Sequence, residues 1–214
     1  MDAKLLAWSR AVKARQAKRG RTHPVLWFFT DENRVPDPLP AITQLPKGLA
    51  GVVFRHDHAP DREDLGRRVA LLCRQRRLAL SVAGDGHLAR RLRAGVHLRG
   101  GRGMTRARLV TSSAHSVREL VRAWRNGADL CFLSPVFPTK SHPHARVLGP
   151  VRWAAIARHA GGMAILALGG ISGRVCRALP PSCRGAAAIG ALAGHSGLVL
   201  TLGGCPPPCL GALG

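Results

Sequence analysis

The sequence predicts a compact (β/α)8 TIM barrel with shortened helices, and three observations point to this α/β fold class. The chain has 214 residues, enough for one buried core and for a barrel at the short end of the size range. Eight short apolar runs recur along it, separated by turn residues and helix-like segments, which is typical of a parallel α/β protein. Eight strands with helical connections favour a closed barrel over an open sheet.

The eight runs predict the strands in order. They cover residues 25–30, 51–55, 78–83, 95–98, 108–112, 130–134, 164–168 and 185–189.

Two connections carry a clear helix pattern. After the second run, Asp61 is placed to cap a helix whose Leu65 and Val69 fall on one face. After the fifth run, Ser116 and Glu119 form a capping box. Other connections are short or rich in proline, so we expect shortened helices.

The two ends of the chain differ in composition from its middle. We expect residues 1–23 to form a basic, flexible arm, residues 24–192 to form the barrel domain, and residues 193–214 to form an atypical tail rich in proline and glycine. The six scattered cysteines predict buried or incidental thiols rather than a zinc site or a disulfide scaffold.

The charge of the chain favours anionic partners. Lysine and arginine number 33 against 11 acidic residues, giving a formal charge of +22. Aromatic residues make up only 4%, tyrosine is absent and no nucleic-acid-binding module is recognisable, so no specific nucleic-acid partner is expected. No apolar run reaches the roughly 18–20 residues that span a bilayer, and the N-terminus lacks the apolar core of a secretory signal. We therefore expect a cytoplasmic protein with no membrane partner; a homo-oligomer stays open.

Polar residues and glycines follow several of the predicted strands. Because the carboxyl ends of barrel strands face the active site, these residues are candidates for chemistry. Gly169 and Gly170 follow the seventh run and Gly190 follows the eighth, where barrels commonly hold a phosphate with backbone N–H groups. The sequence therefore predicts a phosphorylated small-molecule ligand.

Four motifs in order carry a family resemblance. They are GVHL at 95–98, SAHS at 113–116, GAD at 127–129 leading to LSPVFPT at 133–139, and ALGGI at 167–171. Over about residues 25–192 the chain resembles thiamine phosphate synthase and its relative, thiazole tautomerase. The resemblance implies a transferase that joins hydroxymethylpyrimidine diphosphate to thiazole phosphate in thiamine biosynthesis and releases pyrophosphate.

The resemblance also assigns roles to residues. It implies Arg55 and Ser113 as catalytic residues at the diphosphate, and His115 as the proton-transfer group of a tautomerase. The substrate-binding residues it implies are Asp85, Thr139, Lys140, Ser141, Gly169, Gly170, Ile189 and Gly190.

This sequence has only some of the metal-binding residues that the resemblance implies. The resemblance implies a Mg²⁺ cofactor, for which Asp85 is the one matching acidic ligand. Arg102 stands where the family has a further magnesium-binding aspartate, which weakens the case for the metal. Arg99 or Arg102 can instead supply positive charge, because a guanidinium binds phosphate oxygens directly.

Three functions stay open at this point. The first is the synthase-like transferase. The second is a tautomerase-like isomerase that uses His115 and needs no diphosphate. The third is a non-catalytic relative that binds a phosphorylated ligand, because fold resemblance does not fix chemistry.

Overall fold

The computed structural model describes residues 2–18, 23–103, 105–139 and 146–193, and its strands close into a barrel. Every strand runs parallel to its neighbours, and β8 pairs with β1 to complete the ring. The strands are β1 (Leu26–Phe29), β2 (Ala50–Phe54), β3 (Ala79–Ala83), β4 (Gly95–Leu98), β5 (Val110–Ala114), β6 (Leu130–Leu133), β7 (Ala164–Leu168) and β8 (Ala186–Ala188). The predicted (β/α)8 barrel is confirmed.

Helices alternate with the strands, and several are short as predicted. They are α1 (Ala3–Ala17), α2 (Leu39–Thr43), α3 (Arg62–Gln75), α4 (Gly86–Arg91), α5 (Val117–Arg125), α6 (Gly149–Ala157), a 3-10 helix (Cys176–Ala178) and α7 (Gly190–Ala193). The helices α2, α4 and α7 have only 5, 6 and 4 residues. Among the described residues, no helix combines the length and the apolar character needed to cross a membrane.

The prediction of a flexible N-terminal arm was wrong for residues 2–18. These residues form α1 with its flanks, and the Asp2 side chain caps the helix by accepting hydrogen bonds from the N–H groups of Lys4 and Leu5. Leu5 and Val12 are buried on one face of the helix. The apolar face of α1 was not recognised in the sequence, because only a few of its residues are buried and many of the others are cations. The predicted tail from residue 194 onward lies outside the described residues.

Two local predictions also need correction. The fifth strand covers Val110–Ala114 rather than residues 108–112, so Ser113 lies within the strand instead of after it. Helix α3 begins directly after Asp61, but the Asp61 side chain makes no capping hydrogen bond within the described chain. The Ser116 cap of α5 is confirmed, since its hydroxyl accepts a hydrogen bond from the Glu119 N–H at 3.3 Å.

Alternate residues of the strands enter two separate hydrophobic cores. The outer core lies between strands and helices, while an inner core fills the barrel around Trp27, Phe29 and Phe132. The rings of Phe29 and Phe132 meet edge to face with centroids 4.8 Å apart. The barrel interior is therefore packed, and open space begins only above this layer. The four cysteines in the described residues are buried and free, as predicted.

Candidate functional site

A cavity of about 1090 Å³ opens at the carboxyl ends of the strands. Its lining includes Arg55 after β2, Arg99 after β4, Pro135 after β6, Gly169 after β7 and Ile189 after β8. This is the end of a barrel where active sites are built, because the loops that follow the strands converge there.

Most of the predicted site residues line this cavity. Those that do are Arg55, Ser113, His115, Thr139, Gly169, Gly170, Ile189 and Gly190. Asp85 is not among the lining residues, and Lys140 and Ser141 lie outside the described residues. The structure thus brings together residues from five separate loops, and the roles assigned to them stay predictions.

Arg55 is held in place by an acid from the neighbouring loop. Its guanidinium Nη2 lies 3.3 Å from Oδ2 of Asp31, whose side chain is only 12% exposed. The backbone N–H of Arg55 donates to the Thr30 hydroxyl at 2.8 Å. A guanidinium positioned in this way is ready to bind an anion, because its geometry does not have to form when the ligand arrives.

Arg62 and Arg99 form ion pairs with the carboxylates of Asp57 and Asp85. Arg62 reaches both acids, with Nη2 at 3.4 Å from Oδ1 of Asp57 and Nη1 at 3.3 Å from Oδ2 of Asp85. The second oxygen of Asp57 pairs with Arg99, and the second oxygen of Asp85 accepts the Leu88 N–H at 2.9 Å. Every oxygen of these two carboxylates is therefore engaged.

The residues present do not fit a magnesium site well. Mg²⁺ prefers carboxylate oxygens free to coordinate it, and Asp85 instead caps α4 and pairs with Arg62. Within the described parts of the chain, no group of three His, Cys, Asp or Glu residues is placed to hold a metal ion. Arg102, at the position where an acid was expected, lines the cavity.

Arg34 also lines the cavity, although it was not among the residues predicted from the sequence. An Asx turn in the loop after β1 places it, since Oδ1 of Asp31 accepts the Arg34 N–H at 3.1 Å. Its Nη2 lies 3.0 Å from the position that a Cβ on Gly190 would take. A cation therefore sits beside the glycine where phosphate binding was predicted. The pattern Asp31-x-x-Arg34 just after the first run was the available signal.

His115 forms an exposed pair with Glu119. Its Nδ1 lies 3.0 Å from Oε2 of Glu119, and the same oxygen accepts the His115 backbone N–H at 2.8 Å. Burial raises the pKa of Glu119, but the hydrogen bonds from His115, together with the charges of His115 and Arg122, lower this pKa overall. The carboxylate orients the imidazole, whose side chain is 59% exposed at the cavity.

The glycines after β7 have backbone conformations that side chains disfavour. Gly169 and Gly170 have φ values of +92° and +66°. A Cβ on Gly170 would lie 2.7 Å from Cβ of Phe137 and would also clash with the Pro138 carbonyl oxygen. Glycine here lets the β7 loop pack closely against the β6 loop, and it leaves backbone at the cavity surface.

His97 and Asp2 also line the cavity, and neither was predicted as a site residue. His97 is 2% exposed at the cavity floor, and its Nδ1 lies 2.8 Å from the Thr111 hydroxyl. Burial lowers the pKa of His97 to about 3, helped by the positive charges of Arg55 and Arg99, so the imidazole is neutral at pH 7. Asp2 reaches the cavity from the start of α1.

Comparisons with known proteins agree with this architecture. A family model described as thiamine monophosphate synthase matches residues 26–192. The chain is 28% identical over 169 residues to the thiamine-phosphate synthase of Bacillus licheniformis, covering 71% of this chain and 75% of that protein. It is 32% identical over 154 residues to the thiamine biosynthesis bifunctional protein ThiED of Geobacter sulfurreducens, covering 66% of this chain but 30% of that longer protein.

A solved structure shares the fold. Thiamine phosphate pyrophosphorylase from Pyrococcus furiosus superposes with a TM-score of 0.67 at 24% identity, covering 80% of this chain and 88% of that one. The family model spans the whole barrel, from the first residue of β1 into α7. The chain therefore belongs to the thiamine monophosphate synthase family.

Proposed function

We propose that this chain is a thiamine phosphate synthase-like transferase. It would join hydroxymethylpyrimidine diphosphate to thiazole phosphate and release pyrophosphate. The observation that carries the proposal is the convergence of arginines and glycine loops on one cavity, in a chain of this family. The cavity volume of about 1090 Å³ exceeds that of most single-ligand pockets, so it has room for two small substrates.

To catalyse this reaction, the protein mainly has to stabilise the charge of the leaving group and align the two substrates. The bond between the pyrimidine methylene carbon and the diphosphate oxygen breaks, and its electron pair leaves with pyrophosphate. The lone pair of the thiazole nitrogen then forms the new bond to that carbon. Preorganised cations stabilise the negative charge on the leaving group, while the walls of the cavity hold the two rings in line.

The arginines and hydroxyl groups would hold the diphosphate. Arg55 offers a guanidinium fixed by Asp31, and a planar guanidinium can donate two hydrogen bonds to one phosphate group. Ser113 and Thr139 line the same cavity and can donate further hydrogen bonds. Lys140 and Ser141 lie outside the described residues, and their substrate-binding role stays a prediction.

The glycine loops would hold the thiazole phosphate. Gly169 and Gly170 after β7, and Ile189 with Gly190 after β8, present backbone at the cavity surface. The Arg34 guanidinium beside Gly190 would add positive charge to this backbone cradle. The two phosphorylated substrates would then lie side by side, with their anionic groups on different cations.

The experiment is to measure pyrophosphate release by the purified chain. Hydroxymethylpyrimidine diphosphate and thiazole phosphate are supplied together and separately, each with and without magnesium. We expect release only when both substrates are present. Arg55→Ala should lower the rate, whereas Arg118→Gln, at an exposed position outside the cavity, serves as the matched control. Saturable binding without turnover would replace the proposal with a non-catalytic, ligand-binding function.

A tautomerase-like isomerase is a second candidate, and the pairing of His115 with Glu119 favours it. An imidazole oriented by a carboxylate can move a proton between two ring positions of a thiazole phosphate. The test is isomerisation of a thiazole phosphate without any diphosphate. His115→Asn should abolish isomerisation with ligand affinity nearly unchanged, and retained isomerisation would reject this candidate.

A further inference from the structure

Asp57, which lines the cavity, and the neighbouring Asp85 are already paired with arginines. Arg62 bridges Asp57 and Asp85, and it also donates to the Ala83 carbonyl oxygen at 3.0 Å. Arg99 pairs with the remaining oxygen of Asp57. A divalent cation bound to these carboxylates would lie beside the guanidinium groups of Arg62 and Arg99 and would compete with them for the same oxygens.

The other two acids that line the described cavity, Asp2 and Glu119, also accept hydrogen bonds from the protein. Oε2 of Glu119 accepts two hydrogen bonds from His115. The Asp2 carboxylate accepts backbone N–H groups of Lys4, Leu5 and Gly173. Both oxygens of Asp2 and one oxygen of Glu119 thus have partners within the protein, and the described chain does not gather these acids into a group that could hold a metal ion.

Arg102 differs from the other two arginines of this region. Arg62 and Arg99 are neutralised by their carboxylate partners, and Arg99 is therefore the weaker of the two predicted cations. The side chain of Arg102 makes no hydrogen bond or ion pair with any residue that the structure describes, although it lines the cavity. Its backbone N–H donates to the Arg99 carbonyl oxygen at 3.1 Å, which holds the loop in a tight turn.

We propose that Arg102 binds the diphosphate directly and that the site needs no divalent cation for this purpose. The inference rests on the proposed function, which supplies the diphosphate as the ligand. A guanidinium carries permanent charge and can donate two parallel hydrogen bonds to phosphate oxygens. Arg55 lines the same cavity, and although Asp31 offsets its charge, its guanidinium can donate a hydrogen bond to the diphosphate that Arg102 attracts.

The experiment measures binding of inorganic pyrophosphate to the full chain by titration calorimetry. One set of titrations contains a chelator and no metal, and the other contains excess magnesium. We expect affinity in the chelator to equal or exceed affinity in magnesium, since magnesium in solution masks the charge of pyrophosphate. Binding that appears only with magnesium would overturn the inference, and so would the absence of binding in both conditions.

Variants of three arginines locate the contact. Arg102→Gln should weaken pyrophosphate binding about 10-fold or more, the usual effect of losing a charge-assisted hydrogen bond. The affinity of Arg102→Lys for pyrophosphate should lie between those of the unaltered chain and Arg102→Gln, because lysine keeps the charge but lacks the planar guanidinium. Arg118→Gln should leave affinity unchanged. Equal affinity for the unaltered chain and Arg102→Gln would refute the assignment of Arg102.

The inference and the proposed function fail separately. Metal-independent pyrophosphate binding that depends on Arg102, without synthase activity, would support the inference and reject the transferase. Pyrophosphate release from both substrates that stops in the chelator, together with binding only in magnesium, would support the transferase and reject the inference.

Discussion

The carboxylate of Asp2 accepts a hydrogen bond from the backbone N–H of Gly173 at 2.7 Å, across 171 positions of the chain. Its other oxygen accepts the N–H groups of Lys4 and Leu5 at the start of α1. One side chain therefore caps the N-terminal helix and fastens it to the loop after β7. That loop carries the glycines proposed to hold the thiazole phosphate.

Replacing Asp2 with alanine should destabilise the protein. The change removes the cap of α1 and the contact to Gly173, and the loss of a helix cap alone costs about 1 kcal/mol. Urea denaturation followed by circular dichroism measures the free energy of unfolding. Asp2→Asn is the matched control, because asparagine is also a good N-cap and should retain most of the stability. Equal losses in the two variants would show that the charge matters more than the cap.

The barrel could be predicted from the sequence because its strands are short apolar runs, separated by turn residues and helix-like segments. The strand at Gly95–Leu98 has the predicted bounds, since the glycine and the flanking arginines delimit the apolar run. The fifth strand was placed two residues too early, because Thr111, Ser112 and Ser113 are polar residues inside a strand. Packing against neighbouring strands overrides local polarity there, and a single sequence does not show that packing.

Part of the site could be predicted because its residues directly follow a strand, whereas Ser113 and Thr139 were predicted from the family resemblance. Arg55, Gly169 and Ile189 were found from their place after a strand, because strand ends converge in a barrel. Asp2 was missed because its place at the cavity depends on a contact 171 positions away. The pairing of Asp85 with Arg62 was missed for the same reason: it requires side-chain geometry across two loops.

Gly170→Ala should damage both the fold and the binding of phosphate. Alanine is strained at a φ of +66°, and its Cβ would press on Phe137 and Pro138 in the β6 loop. We expect a loss of about 2 kcal/mol or more in the free energy of unfolding, from strain and overpacking together. Chemical denaturation measures the stability, and titration with thiazole phosphate measures the binding.

Gly127→Ala is the matched control for that substitution. Gly127 has a similar φ of +77°, but nothing lies within 4 Å of the position that its Cβ would take. This variant should show the cost of backbone strain alone, about 1 kcal/mol, and should bind thiazole phosphate normally. If the two alanine variants lose the same stability, the close approach of the β6 and β7 loops has no energetic consequence.

Arg55→Ala should weaken pyrophosphate binding about 10- to 100-fold. The change removes a cation and also leaves the largely buried Asp31 without its partner, so the remaining negative charge repels the ligand. The double variant Arg55→Ala with Asp31→Asn tests this reason. It should bind better than Arg55→Ala alone, and a double variant that binds no better would show that Asp31 does not act on the ligand.

Stability should fall with acidification partly because of His97. Burial, with the help of Arg55 and Arg99, lowers the pKa of this imidazole to about 3, against about 6.5 in the unfolded chain. Between pH 3 and pH 6.5, His97 is therefore protonated in the unfolded state and neutral in the folded state. The contribution is fully present above pH 6.5 and is lost as the pH falls toward 3, by at most about 1.4 kcal/mol per pH unit.

The measurement is the free energy of unfolding at pH 7, 6 and 5, for the unaltered chain and for His97→Asn. His97→Asn should have a lower stability at pH 7, because the contacts of the ring with Phe29 and Phe132 are lost. Its stability should nevertheless decline less steeply between pH 7 and 5. His159→Asn, at an exposed histidine, should keep the original slope. A slope in His97→Asn as steep as that of the unaltered chain would mean that His97 takes up its proton in the folded state as readily as in the unfolded one.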